Sequence, residues 1–326
     1  MKKNSKIFVA GASTLIGSAL MRELKKQGYT DVLDSQLEPE LTDALAVDDF
    51  FKQMQPEYVF TAAGRSGGIQ ANQNYPAELI RENLLTGCHI IHSAYRSGVR
   101  KLLYLASSCS YPKYAPQPMQ IDSLFSGALE PTSEAYGVAK IAGMTLCKAY
   151  HQQYGANFFS AIPGDLFGPG DDFDLEDSHV MAALIRKIHE GKKRRAEFVD
   201  LWGTGTPRRG FIFIDDVASA CIFLMKNYES KDPINVGGQW DLSVRETALL
   251  VKEVIQYEGQ LRFDSSKPDG IPVKSLDSSR LLQMGWRPGC TSFREAIAIT
   301  YDWFLEMDGK NKKERATNAC STRISN

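Results

Sequence analysis

The sequence lacks any uninterrupted apolar run approaching the ~18 residues that span a bilayer. It also lacks a surplus of charge: among 326 residues, 38 Lys and Arg stand against 39 Asp and Glu, a formal net of −1. Such a chain has no global field to draw in nucleic acid or an anionic membrane, so any anionic ligand must be met by a local site. Six cysteines (Cys88, Cys109, Cys147, Cys221, Cys290 and Cys320) are scattered without a CxxC or a paired metal spacing. That pattern predicts free thiols, no metal and a reducing, cytoplasmic setting. The amino terminus, MKKNSKIFVAG, passes from two lysines straight into a strand-like run, without the apolar core or small-residue cleavage site of a secretory leader. Internal repeats are absent as well. What remains is an ordinary globular balance, with 43% hydrophobic and 24% charged residues.

The first half alternates short apolar runs with longer helical patterns. Strands are expected at Lys6–Ala10, Asp31–Leu33, Tyr58–Thr61, Lys101–Ala106 and Phe158–Ile162, and helices at Ile16–Gln27, Pro76–Ser97 and Ala135–Tyr154. Strands separated by helices of this length imply right-handed crossovers and an α/β fold: a Rossmann-type, doubly wound parallel sheet. The rhythm breaks after Gly164. A helix near Ser178–Gly191, β-like pieces at Glu197–Trp202 and Phe211–Ile214, and a strand at Ile234–Gly237 suggest a smaller, interleaved α/β substrate-binding lobe. The expected division is 1–165 for a dinucleotide domain completed by about 211–237, then 166–210 and 238–306 for the lobe. Residues 307–326, polar and without helical periodicity, read as a mobile tail.

Strand Lys6–Ala10 ends in Gly11-Ala-Ser-Thr-Leu-Ile-Gly17 and then a helix. A glycine lets the chain turn tightly, and the N–H groups of a helix start suit a pyrophosphate. Thr14 stands at the middle position of GxxGxxG, where its hydroxyl could donate to a phosphate. Asp34, at the end of the second strand, is placed to accept from a ribose 2′-hydroxyl and to repel a 2′-phosphate. Gln36 beside it carries no charge, so this segment by itself favours NAD over NADP.

Tyr136 and Lys140, spaced i and i+4, project from one helix face, where an ammonium favours a phenolate and makes the tyrosine an acid/base group. Ser107-Ser108-Cys109 follows directly on strand Lys101–Ala106, at the sheet edge where open α/β folds bind ligands.

In this order, Gly11…Gly17, Ser107, Tyr136 and Lys140 resemble the extended short-chain dehydrogenase/reductase superfamily. Longer strings resemble its GDP-L-fucose synthase family: Gly67-Gly68-Ile69-Gln70-Ala71-Asn72, Ser107-Ser108-Cys109-Ser110-Tyr111-Pro112-Lys113 and Asp177-Ser178-His179-Val180. Trp202-Gly203-Thr204-Gly205-Thr206-Pro207-Arg208-Arg209 and Ser266-Lys267-Pro268-Asp269-Gly270 extend the likeness. The resemblance runs from about residue 6 to residue 306. It implies an epimerase/reductase acting on GDP-4-keto-6-deoxy-D-mannose with NADP, NAD being left open by Asp34 and Gln36. Cys109 and His179 would then be the acid/base pair for the carbons flanking the keto group. Ser107 and Tyr136 would hold the keto oxygen, and Lys140 would fix the cofactor ribose.

The resemblance further implies cofactor contacts from Gly11, Ser13, Thr14, Ile16, Gly17, Asp34, Gln36, Lys140, Pro163, Asp165, Leu166 and His179. Substrate contacts fall to Asn72, Lys187, Trp202, Arg209 and Asp277. Related enzymes pair through two helices each, so a homodimer through Leu79–Arg96 and Ala135–Tyr154 is expected. Three positions depart from the family pattern: Thr14 replaces a glycine, Gln36 an arginine, and Asp165 the asparagine of a Pro-Thr-Asn segment. A carboxylate at Asp165 is unfavourable near a diphosphate unless a base or metal offsets it. These departures leave two other readings open: a redox-neutral, NAD-retaining epimerase of another nucleotide sugar, and a non-catalytic dinucleotide sensor.

Overall fold

The computed structural model describes residues 1–324 apart from 176–177, 239, 268 and 291, with side chains as far as residue 309. Asp177 and Pro268, quoted in two of the motifs above, therefore lie outside the described residues. The first half runs β1 (Ile7–Ala10), α1 (Leu15–Lys26), α2 (Ala44–Met54), β2 (Tyr58–Thr61), α3 (Ile69–Asn74) and α4 (Pro76–Arg96). It continues with β3 (Lys101–Leu105), α5 (Glu134–Tyr154) and β4 (Phe158–Pro163). Then come β5 (Asp165–Phe167), α6 (Val180–Lys193), β6 (Phe198–Trp202), β7 (Arg208–Phe213), α7 (Ile214–Asn227) and β8 (Ile234–Val236). The last elements are β9 (Trp240–Ser243), α8 (Val244–Ile255), β10 (Gln260–Asp264), β11 (Val273–Lys274), α9 (Ser279–Gln283) and α10 (Phe293–Ile324).

The main sheet is parallel throughout, in the order β1-β2-β3-β4-β8. Its strands are apolar on both faces because both faces are covered. Ile7 and Val9 face a core shared with α1 and α7, while Phe8 and Ala10 face one shared with α2, α4 and α5. The strand expected at Asp31–Leu33 shrinks to a single bridge, Val32 against Ile7. That bridge lies on one flank of β1 and β2 on the other, so the chain changes direction of travel across the sheet at β1. The resulting crevice at the strands' carboxyl ends is where open α/β sheets bind ligands.

A second sheet, β11-β7-β5 with β9 antiparallel to β7, stands beside the first. Strand β7 joins the two units: Ile212 packs in the α1/α7 core, and Phe211 and Phe213 pack in the core of the lobe. The two-stranded β6/β10 ribbon, α6, α8 and α10 complete the lobe. The backbone beyond residue 307 departs from the expectation of a stretch without helical periodicity, for α10 carries it in helical form to Ile324.

Candidate active site

The cofactor loop is a cradle made by close backbone approach. A Cβ at Gly17 would come within 1.9 Å of the Gly11 carbonyl oxygen, so only glycine lets α1 begin there. Thr14 caps that helix, its Oγ1 accepting from Gly17 N at 3.1 Å and lying 2.8 Å from the Gly11 carbonyl and 3.2 Å from that of Ala62. The hydroxyl proton expected to reach a phosphate is thus directed at protein carbonyls. The first turn still presents the N–H groups of Leu15 and Ile16, which have no partner within the helix. Ser13, exposed, sits at the lip of this turn. Strand β4 ends at Pro163, and β5 begins at Asp165 and carries Leu166.

Asp34 is not the carboxylate that reaches the loop. It is exposed and accepts from Gln36 N at 2.9 Å, capping a short 3-10 turn. Glu38, which sequence reasoning missed, bonds Gly11 N at 2.6 Å. Burial pushes its carboxyl up, while the N–H groups of Gly11 and Ala12 draw it back. From residue 31 to 43 there are five acids and no Lys or Arg.

Ser107, Tyr136 and Lys140 form a row at the carboxyl end of β3. Ser107 Oγ caps the next turn by accepting from Cys109 N at 3.2 Å. Helix α5 presses on that turn, since a Cβ at Gly137 would meet the Cys109 carbonyl oxygen at 2.7 Å. Lys140 Nζ lies 5.6 Å from the Tyr136 ring centre and donates to the Leu105 carbonyl at 3.3 Å. The expectation that Lys140 lowers the Tyr136 phenol is not met. Burial dominates and drives Tyr136 well up, Cys109 adds to this, and a hydrogen bond with Ser107 only partly opposes it. Burial likewise brings the Lys140 ammonium down to about 8. Charge on this row is suppressed by desolvation.

At Cys109, beside the row, opens a cavity of about 300 Å³. Cys109, His179, Asn72, Lys187, Trp202, Arg209, Asp165 and Leu166 all line it. The carboxylate of Asp165 is offset by two bases: Lys274 Nζ at 2.7 Å and Arg209 Nε at 3.6 Å. Burial would raise that carboxyl, but Lys274 and then Arg209 outweigh it and hold it below the usual range. Lys274 is raised in return: burial alone would lower it, and Asp165 and then Cys109 together more than compensate. Lys274, another residue the sequence did not single out, also lies 3.9 Å from Cys109 Sγ. His179 caps the start of α6 and opens on the cavity. Dense surroundings lower its imidazole, Asp165 partly opposing them, so the ring is neutral near pH 7.

Farther out, Lys187 Nζ lies 5.1 Å from the Trp202 ring centre, and the indole is 50% exposed at the cavity rim. Burial lowers the Lys187 ammonium. Asn72 pins the loop ahead of α3 by donating to the carbonyls of Gly67 and Gly68, which leaves its buried Oδ1 without a partner. Asp277 does not join the cavity lining. Its carboxylate accepts from Ser279 N at 2.9 Å and Gln120 Nε2 at 3.4 Å, next to the Met119–Leu276 bridge. Asp269 lines the cavity and accepts from Thr204 N at 2.7 Å.

Residues 7–237 match the NAD dependent epimerase/dehydratase family. The chain is 48% identical to GDP-L-fucose synthase 1 of Arabidopsis thaliana over 305 residues, 93% of this chain and 94% of the relative. A GDP-6-OMe-4-keto-L-xylo-heptose reductase from C. jejuni superposes with a TM-score of 0.89 at 32% identity, covering 94% of this chain and 99% of the other. A GDP-L-fucose synthetase from Naegleria fowleri bound to NADP gives 0.85 at 27% identity, covering 94% and 95%.

Proposed function

The chain belongs to the NAD dependent epimerase/dehydratase family and, within it, to the GDP-L-fucose synthases, and from that premise we propose its reaction. It converts GDP-4-keto-6-deoxy-D-mannose, or a close analogue, to GDP-L-fucose or the corresponding product, as an epimerase/reductase of the extended short-chain type. NADP is its cofactor. The observation that carries the reading is the shared turn at Cys109: a thiol and an imidazole line one cavity, and the Ser-Tyr-Lys row adjoins it, Cys109 N donating to Ser107 Oγ at 3.2 Å.

A keto group acidifies the hydrogens on both neighbouring carbons. His179, neutral near pH 7, accepts such a proton, and Cys109 returns one to the enolate carbon, inverting the centre. Ser107 and Tyr136 hold the keto oxygen, stabilising first the enolate and then the alkoxide. When bound, the reduced nicotinamide supplies the hydride that reduces the ketone. Tyr136 delivers the proton to oxygen; its raised phenol stays protonated until a stronger base develops beside it. Lys140, adjacent, binds the ribose hydroxyls and supplies positive charge to Tyr136.

The cradle at Gly11, Ser13, Thr14, Ile16 and Gly17 holds the pyrophosphate, and Glu38 lies toward the adenosine ribose. Pro163, Asp165, Leu166 and His179 border the nicotinamide end. In the lobe, Trp202 offers a flat face for a purine, while Lys187 and Arg209 meet the diphosphate and Asn72 Oδ1 accepts from a sugar hydroxyl. Residues 1–165 and 211–237 thus serve the dinucleotide, and 166–210 and 238–306 the nucleotide sugar. Exposed Tyr95, Val138 and Tyr154 on α4 and α5 support pairing of two copies through these helices, which light scattering at micromolar concentration checks. A cytoplasmic location completes the reading.

The test is incubation with GDP-4-keto-6-deoxymannose in heavy water with NADPH, with NADH and with neither. Deuterium uptake together with nicotinamide oxidation is expected. Uptake without oxidation would leave an epimerase alone, and silence in all three would remove the substrate assignment.

A further inference from the structure

Lys274 has no part in the reaction just derived, yet its ammonium stands 3.9 Å from the Cys109 sulfur. It comes from β11, 165 residues further along the chain, and a 2.7 Å ion pair to Asp165 aims it. Four other titratable groups face this place: Tyr136 from α5, His179 at the start of α6, Asp165 from β5 and Arg209 from β7. Lys274 and Arg209 share the carboxylate of Asp165, whose side chain is only 16% exposed. Arg209 turns its NH1 and NH2 groups to the carbonyls of Arg208, Ile271 and Asp269, so Lys274 is the cation that faces the sulfur.

The geometry points to Lys274 as the counter-ion of a Cys109 thiolate: a positioning residue that sets the proton affinity of the thiol without touching substrate. This rests on the epimerase reading of the site. When Cys109 gives its proton to the enolate carbon, the S–H bond breaks and a C–H bond forms. The S–H electron pair stays on sulfur as thiolate, beside the ammonium. Run the other way, the thiolate takes a proton from carbon and the enolate takes up the electron pair. Lys274 stabilises the thiolate in either direction. Asp165 holds the lysine in register and moderates its charge, which gives a physical role to the carboxylate at this position.

Alkylation of Cys109 by iodoacetamide, followed on its own peptide by mass spectrometry from about pH 5 to about pH 10, reads the thiolate without any substrate. In Lys274→Gln the midpoint is expected to rise by about one pH unit or more, slowing the reaction near pH 7 about tenfold. Lys274→Arg keeps the charge and should stay within about threefold of the wild type. An unmoved midpoint in Lys274→Gln, or an equal shift in Lys274→Arg, overturns the proposal. Should Lys274→Gln fail to fold, the wild type decides: its Cys109 midpoint is expected to lie below that of a free cysteine measured alongside, and a midpoint at or above it overturns the role. In the NADPH-loaded enzyme, Lys274→Gln should slow deuterium uptake into the keto sugar. Failure of the wild type to exchange at all would overturn the substrate reading while leaving the alkylation result intact.

Discussion

Two walls that meet at Cys109 handle charge in opposite ways. On the main-sheet wall, Tyr136 and Lys140 are governed by burial, which raises the phenol and brings the ammonium down to about 8. On the lobe wall, Asp165 and Lys274 are also buried, yet each keeps its charge because the other is 2.7 Å away. The first wall therefore awaits a partner before its chemistry is complete. In the proposed reaction a nicotinamide ribose on Lys140 and a keto oxygen on Tyr136 provide it. The second wall is already assembled from the chain alone. Reduction should depend on what is bound, and proton exchange on what is built in.

The sharpest way to break that contrast is to disable one wall and watch the other. Tyr136→Phe should cut hydride transfer by about 10²–10⁴, while deuterium uptake into the keto sugar, followed by NMR, falls less because Ser107 still holds the enolate oxygen. Equal losses in both would mean that the walls do not work separately. Cys109→Ser should do the reverse, cutting deuterium uptake by about 10² or more with dinucleotide binding unchanged by fluorescence titration. Asp165→Asn sharpens the comparison through stability. Leaving Lys274 and Arg209 without their carboxylate should cost about 2 kcal/mol at pH 7 in urea unfolding. Because the folded carboxyl is held below its usual range, that stabilisation is fully present above the ordinary carboxylate range and is lost as pH falls through the depressed value. The gap between wild type and variant should therefore close in acid. The smallest effect concerns the cofactor: with no Lys or Arg from 31 to 43, NADPH should be preferred over NADH by no more than about tenfold in kcat/KM, some 1.4 kcal/mol.

The sheet was legible because its strands are buried on both faces and read as apolar runs between helices. Tyr58–Thr61 has the bounds expected of it, and β1, β3 and β4 differ from expectation by a residue at one end. Asp31–Leu33 misled, since its β-branched centre makes one bridge and the segment then turns to cap itself with Asp34. The lobe's strands β5, β9 and β11 are too short to carry a period. Cys109, His179, Tyr136 and Lys140 stand out through motifs; Cys109 and His179 line one cavity, and Tyr136 and Lys140 stand in the row beside Cys109. Lys274 and Glu38 were not found. One meets its partner across 165 residues, and the other looks like a surface acid in a turn until its hydrogen bond to Gly11 is seen. Asp277, drawn in by likeness, is occupied at the start of α9.

Helix α5 rests on the turn that holds the thiol, with no room at Gly137 for so much as a methyl group against the Cys109 carbonyl. Tyr136 is the residue next to that contact. Any change that lifts the helix displaces Tyr136 and Cys109 together, so in the proposed reaction neither step can be retuned there without disturbing the other. Substrate range in such a scaffold is free to drift only from the lobe side, where the strands are short and the contacts ionic.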